Sequence, residues 1–325
     1  MMKRITSFVA ALVALSLIGA GIGQNFELQL GHGAMDSHPS HFGALRVAEL
    51  VAERSDGRLS IDVFPNRQLG EERELVEGLQ LGTVDIAVVS TGPLGGFVPR
   101  INVVDLPFLF RDAEHAYAVF DGPIGDDLLA DFDDVGIKGA AFWENGWRHL
   151  TSKRRVVEPG DLTGVKIRTM ENEVHMDAFS ALGAGPVPMV WGEVYTSLQQ
   201  GVIDAQENPI TVIYTNALWE VQDYVHLTGH VYGPHLVLIS QQTLARLPED
   251  LQEILVDTVR EVSHYQRQRA AELEAEMSVL LEEEGMEIVE VDTEPFRDAT
   301  AEVLERYSGR FGEGLIESIQ AVGRD

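Results

Sequence analysis

The sequence predicts an α/β fold of two similar lobes with a cleft between them, crossed by one long helix. Three observations carry that expectation. First, the stretch ELVEGLQLGTVDIA (74–87) aligns without gaps to EVYTSLQQGVIDAQ (193–206). Each reads as an amphipathic helix stopped by a glycine, Gly82 or Gly201, and followed by a short apolar strand. A glycine at that place accepts the positive φ that ends a helix. Second, strands stand upstream of both units, LSIDVFP (59–65) and VKIRTM (165–170), and strands alternating with helices build parallel sheets. Third, no proline or glycine interrupts the chain between Pro248 and Gly285, and Leu251, Ile254, Leu255, Val259, Val262, Leu273 and Met277 recur at roughly helical spacing. A helix of about 35 residues is about 50 Å long, which exceeds one small lobe. The competing readings are a chance likeness of two common helix–turn–strand units and a coiled-coil helix, whose seam Arg269 and Ala270 break.

Taken in chain order, the first segment is MMKRITSFVAALVALSLIGAGIG, with Lys3 and Arg4 ahead of an apolar run from Phe8 to Ile18 and then small residues. The run is shorter than the roughly 20 apolar residues of a spanning helix, and the pattern is that of a cleaved secretory signal, with a mature chain from near Gln24. No other segment is apolar enough to cross a membrane. Cysteine is absent, which excludes a cysteine lipid anchor, disulfides and thiol chemistry. The helix HFGALRVAELVAERS is opened by His38-Pro39, with His32, His38 and His41 expected near its exposed start. Their spacing fits no standard zinc pattern, so no metal site is expected.

At 325 residues the chain can hold two sizeable cores. Its 24 basic and 52 acidic residues give a net charge of −28, which argues against nucleic acid or an anionic membrane surface as partner. A solvated acidic surface accounts for the charge, and pairs such as Asp133-Asp134 belong to it.

Catalytic motifs are missing. There is no Gly-x-Ser-x-Gly elbow, phosphate-binding glycine loop, His-Glu-x-x-His pair or dinucleotide fingerprint. What remains is polar groups at strand ends. Arg168 stands near the end of VKIRTM on the face of Lys166 and Met170. A guanidinium there offers a bidentate grip on a carboxylate. In the alternating set Val202, Asp204, Gln206 and Asn208, the last residue falls at the strand terminus, where open α/β sheets bind ligands. Pro209 ends that strand. Arg148, in ENGWRHLTS, is a second cation at an apolar–polar boundary. From spacing alone, a surface or interlobe salt bridge explains either arginine as well as a ligand does.

At this point the chain resembles the solute-binding proteins of TRAP transporters, of the DctP type. The likeness runs through GRLSIDVFPNRQLGEERELVEGLQLGTVDIAV, VVDLPFLFRDAEHAYAVFDGPIG, NGWRHLTS, DLTGVKIRTMEN, ALGAGPVPMVWGEVYTSLQQGVIDAQENP, LWEVQDYVHLTGH and the long C-terminal helix. It covers essentially the whole mature sequence. The resemblance implies a two-lobed periplasmic binding protein fold: a signal peptide at 1–23, one domain from 24–147 plus about 235–273, and a second from 148–234 plus about 274–325. It implies a small organic acid closed into the cleft and delivered to the membrane subunits of a permease, with no cofactor and no membrane insertion of the mature chain. Arg168 occupies the place of the family's carboxylate-binding arginine, and Arg148 and Asn208 match further ligand contacts. Glu72 matches an acidic position that meets ligand hydroxyl or amino groups from the other lobe. Trp191 matches an aromatic position at the pocket border, and Ser90 a position where members vary. Glu207 alternates away from Asn208 and is expected to serve structure.

The expected ligand is a monocarboxylate bearing hydroxyl, keto or amino groups. Trp143, Trp147 and Trp191 form an aromatic-rich neighbourhood by sequence, and IRTMEN and PMVWGEVY are similar to segments of members that bind the zwitterion ectoine. Trp191 alone could equally be a core residue anchoring the helix after it. Two readings from other classes stand beside binding for transport. One is an exported hydrolase or lyase using Glu72, His175 or His235 as acid or base. The other is a ligand sensor that reports to a signalling receptor.

Overall fold

The computed structural model describes residues 25–312 and 314–324; the signal peptide expected at 1–23 lies outside the described residues. Nine strands form one sheet: β1 Phe26–His32, β2 Leu59–Phe64, β3 Ile86–Ser90, β4 Ile137–Ser152, β5 Lys166–Thr169, β6 Gly185–Pro188, β7 Ala205–Asn208, β8 Tyr224–Ser240 and β9 Glu287–Val289. Their order is β2-β1-β3-β8-β4-β7-β5-β6, with β9 also paired to β8. Strands β1, β2 and β3 run parallel at one end, as do β5, β6 and β7 at the other. The long antiparallel pair β4 and β8 joins the two ends. Both long strands are buried along nearly all their length, so each belongs to both halves of the molecule.

The two repeated units sit at opposite ends of this sheet. The first is the helix α2, Glu72–Leu81, ended by Gly82 at φ 70°; the second is the helix Val194–Gln199, followed by Gly201 at φ 70°. The strand expected from Val202 begins only at Ala205. Val202 and Ile203 instead turn back so that both their N–H groups reach the Ser197 carbonyl, which leaves Val202 51% exposed. The Asp204 carboxylate then accepts the Lys166 N–H at 2.9 Å.

Apolar clusters flank each end. One end is packed by groups including Leu75, Phe120 and Leu236 on one face and Leu30, Val47 and Trp143 on the other. The other end is packed by groups including Leu198, Ile213 and Val225, and Ile167, Phe179 and Ala205. The long helix, Glu249–Glu283, spans 35 residues. It gives Leu251, Leu255, Val259 and Val262 to the first end and Leu273, Met277 and Leu281 to the second. Between those stretches Gln266 accepts the Glu144 N–H and donates to the Glu144 carbonyl, both at 2.7 Å. The helix is thereby tied to the middle of β4. The expected changeovers at 147/148, 234/235 and 273/274 all fall inside these continuous elements.

Helix α1, Pro39–Arg54, packs between β4 and the long helix. Its Gly43 approaches so closely that a Cβ there would lie 2.8 Å from the Trp143 ring and 2.9 Å from Gln266. The expectation of histidines near an exposed helix start is corrected by the structure. His32 and His38 are each 1% exposed and His41 is half-buried. The start of α1 points into the molecule, where Ser40 Oγ meets His235 Nδ1 at 2.8 Å and His38 Nε2 meets Thr211 Oγ1 at 3.2 Å.

Candidate functional site

The carboxyl ends of the parallel strands from both ends of the sheet converge on one cavity. That is where such sheets place ligands. Its walls include all six residues expected from the sequence: Arg168, Arg148, Asn208, Glu72, Trp191 and Ser90.

One side of the cleft is cationic. Arg168, on β5, is 4% exposed. Its Nε and Nη2 donate to the Met189 carbonyl at 3.0 and 2.8 Å, and its guanidinium carbon lies 5.4 Å from the Trp191 ring centre. Among the described residues Nη1 has no hydrogen-bond partner and no carboxylate bonds to this arginine. Burial pushes its pKa down to about 10, with Glu207 opposing and Arg148 reinforcing the shift.

Arg148 lies beside it on β4. Its Nε and Nη2 grip Glu207 Oε2 and Oε1 at 2.5 and 2.8 Å, and Nη2 also donates to the Glu207 carbonyl at 2.7 Å. His230 Nε2 is 3.2 Å from the same carboxylate. Burial alone would raise the Glu207 pKa; Arg148 and His230 outweigh it and hold the group below the usual carboxylate range. Glu207 thus serves structure, as expected, by fixing the Arg148 fork. Asn208 is oriented by a side-chain relay: its Nδ2 donates to Gln206 Oε1 at 2.6 Å, and Gln206 Nε2 donates to Thr151 Oγ1 at 2.9 Å.

The opposite side is acidic. The Ser90 N–H and hydroxyl donate to the two Glu72 oxygens at 2.8 and 2.5 Å. Next to it Glu71 also lines the cleft. Burial raises its pKa, although Arg67 and the Gly192 backbone N–H both oppose the shift. Gly192 comes from the far side of the cleft, and a Cβ there would sit 2.5 Å from Glu71 Oε1. The two sides also touch at Gly92, where a Cβ would lie 2.7 Å from the Met170 Cβ, and Asn172 Nδ2 donates to Asp105 Oδ2 at 2.8 Å.

Trp191 is half-buried and donates to Asn216 Oδ1 at 3.3 Å. It borders the cleft, whereas the other two tryptophans of the expected neighbourhood do not. Trp143 is a core residue whose Nε1 reaches the Val259 carbonyl, and Trp147 packs edge-on to Tyr232 at 5.2 Å. His175 is buried away from the cavity, 3.6 Å from Asp105. His235 does line the cavity, with His38 and Asn145.

Asn145 and Glu71 escaped the sequence reading, which places His38 at an exposed helix start and His235 only as an acid or base of an enzyme. Asn145 stands one residue before Gly146, at a register shift between Glu144 and Gly146, and such bulges re-aim side chains beside sites. Alternation in a regular strand could not have placed it. His38 and His235 are uncharged. Burial pushes His38 down to about 3 and His235 well below its ordinary value, and neighbouring histidines add to both shifts.

The arrangement suits binding: a buried cationic side for an anionic group and an acidic side for hydrogen-bond donors. No helix among the described residues is long and apolar enough to cross a membrane, and no group of three or more metal-ligating side chains converges there.

Comparison with known proteins agrees with this geometry. Residues 30–310 match the DctP family, described as bacterial extracellular solute-binding protein, family 7. A TRAP periplasmic solute-binding protein from Polaromonas sp. JS666, bound to D-erythronate, superposes with a TM-score of 0.90 at 41% identity, covering 93% of this chain and 100% of that one. The sugar-acid-binding protein of Advenella mimigardefordensis, in complex with galactonate, gives 0.89 at 31% identity, covering 92% and 98%. The 2,3-diketo-L-gulonate-binding periplasmic protein of Escherichia coli K12 is 37% identical over 294 residues, 90% of this chain and 89% of that protein. The chain belongs to family 7 of the bacterial extracellular solute-binding proteins, the DctP family.

Proposed function

We propose that this protein is the periplasmic subunit of a TRAP transporter, that it captures a small hydroxylated monocarboxylate by closure of its two lobes, and that it delivers the acid to the membrane subunits. The observation that carries the reading is Arg168. It is a buried cation whose hydrogen bonds go to a peptide carbonyl, while the buried carboxylate of Glu207 is taken by Arg148. A buried charge is costly unless paired, and a ligand carboxylate is the partner this site lacks in the protein itself. Arg148 Nη1 and the Asn208 amide satisfy the remaining carboxylate lone pairs.

The acidic side supports hydroxyl groups at the ligand's other end and disfavours a second carboxylate. The bound acids of the Polaromonas and Advenella relatives, D-erythronate and galactonate, have that chemistry. An ectoine-like zwitterion is less well supported, because one tryptophan rather than three borders the cleft. Export by the N-terminal signal and release at a permease follow from the family reading. The protein acts by binding, with no bond made or broken.

Titration calorimetry with D-erythronate and galactonate tests the proposal. Wild type binds at least one of them, and Arg168→Ala weakens binding at least tenfold, about 1.4 kcal/mol. Arg168→Lys also binds poorly, since a point charge does not reproduce the fork. Native-like affinity in either variant removes Arg168 from the site.

A further inference from the structure

His235 has a defined protonation geometry that bears on what the cleft accepts. The Ser40 hydroxyl is fully buried, and its one partner among the described residues is His235 Nδ1, at 2.8 Å. A hydroxyl that only accepted would leave its own proton buried without an acceptor. The Ser40 O–H therefore donates to Nδ1, and the neutral ring carries its proton on Nε2. The uncharged state is supported by burial and by the neighbouring His38 and His32, which all disfavour a second proton.

Nε2 has no protein partner among the described residues and is not among the sealed polar atoms, and His235 lines the cleft at 7% exposure. On the sheet His235 stands directly opposite Ser90 in antiparallel register. Cross-strand partners present their side chains to the same face about 5 Å apart. Ser90 in turn holds Glu72 by two hydrogen bonds. A neutral N–H donor and a carboxylate acceptor therefore stand side by side on the acidic side of the cleft.

We infer that His235, with its tautomer set by Ser40, acts with Glu72 as a specificity-determining donor–acceptor pair for hydroxyl groups of the ligand. A hydroxyl satisfies both members, because it donates to Glu72 and accepts from Nε2–H. An ammonium leaves the histidine donor unmatched, and a keto oxygen leaves the carboxylate unmatched. The substrate class is narrowed to acids hydroxylated at the end away from the carboxylate, and Ser40 is a positioning residue. The assignment rests on the carboxylate reading of the cationic side.

The test compares D-erythronate with butyrate, which shares its carboxylate and carbon number but has no hydroxyl. His235→Phe is expected to lower the ratio of D-erythronate to butyrate affinity at least tenfold. His235→Gln, whose amide can replace the Nε2 donor, is expected to keep the ratio within about fivefold of wild type. Nitrogen-15 two-bond spectra of the imidazole rings report the tautomer without ligand: wild type shows His235 protonated on Nε2, and Ser40→Ala shows a mixture. An unchanged ratio in His235→Phe overturns the pair while leaving the carboxylate reading standing. A wild-type His235 protonated on Nδ1 overturns it even where the variants do not fold. Failure of wild type to bind any of D-erythronate, galactonate and butyrate overturns the carboxylate reading, and this assignment with it.

Discussion

The two copies of the helix–glycine–strand unit have the same backbone and opposite chemistry. In the gapless alignment, Ala87, Val88 and Val89 of β3 stand where Gln206, Glu207 and Asn208 stand in β7. Both trios are buried. The first is sealed by apolar packing and delivers one polar group, Ser90, at its end. The second is sealed by hydrogen bonds: Gln206 to Thr151, Glu207 to Arg148, and Asn208 to Gln206. Local sequence likeness decides where each strand begins and stops. The character of each cleft wall comes from the partner strands, which supply Arg148 and Thr151 to one end and His235 to the other.

The most severe way to break the comparison is to remove the charge that makes β7 unlike β3. Glu207→Ala leaves Arg148 buried without its counter-ion, which should destabilise the protein by about 3–5 kcal/mol. Val88→Ala, at the aligned position, loses only apolar burial, about 2 kcal/mol. Urea unfolding of both variants measures the gap. If Glu207→Ala is no worse than Val88→Ala, the ion pair is not what holds the second end together.

Acid should act on both ends at once. His32 and His38 at the first end and His149 at the second are pushed down to about 3, and His226 to about 4, in each case chiefly by burial. A histidine neutral in the fold and free to charge when unfolded contributes stability that is complete above about pH 6.5. That contribution is lost as pH falls from 6.5 towards the folded values. Each such group costs about 1.4 kcal/mol for each pH unit in that window. Glu144, raised to about 7 mainly by burial, and Glu71 and Glu274, also raised chiefly by burial, work the other way but are fewer than the lowered histidines, which also include His41, His230 and His235. Thermal unfolding should therefore show a falling melting temperature between pH 6.5 and 4.5, as one cooperative transition. A flat profile there contradicts the neutral, buried histidines; two separated transitions contradict the shared strands β4 and β8.

Much of this was legible in the sequence for a physical reason. Helix period, the glycine stops and the unbroken 249–284 stretch are local signals, and they located α2, the Val194–Gln199 helix and the long helix. The arginine in VKIRTM and the polar end of the second unit stood out because they violate the apolar rule for buried strands. What stayed hidden was non-local. Nothing local distinguishes His38 at a buried helix start from a histidine at an exposed one; burial comes from Thr211, 173 positions away. Asn145 depended on a bulge in the β4–β8 register, and Trp143 and Trp147 on which sheet face each takes.

Contact between the two sides can be sharpened at Gly92. Gly92→Ala places a methyl 2.7 Å from the Met170 Cβ and 2.5 Å from its sulfur, and a Cβ-to-Cβ clash cannot be relieved by rotating the methionine side chain alone. The variant should fold normally, since relief comes from a small opening of the cleft. It should bind D-erythronate about tenfold more weakly, and its scattering radius with ligand should exceed that of liganded wild type. Wild-type affinity and an identical liganded radius would show that closure does not depend on this contact.

The smallest expected effect separates two tryptophans. Trp143 belongs to the core of the first end, between α1 and the long helix. Trp191 borders the cleft of the second, half-buried, with its ring beside Arg168 and its Nε1 on Asn216. Trp143→Ala should cost about 3–5 kcal/mol, as for other core tryptophans. Trp191→Ala removes less buried surface and should cost about 1–2 kcal/mol. Its effect should appear in binding: with the ring gone, water reaches the Arg168 guanidinium, and affinity for D-erythronate should fall about fivefold. Ligand should also change the difference in fluorescence between wild type and Trp191→Phe, which subtracts the emission of Trp143, Trp147 and Trp219. If Trp191→Ala instead melts as low as Trp143→Ala while its folded fraction binds as tightly as wild type, Trp191 is a core residue and the cleft has no aromatic wall.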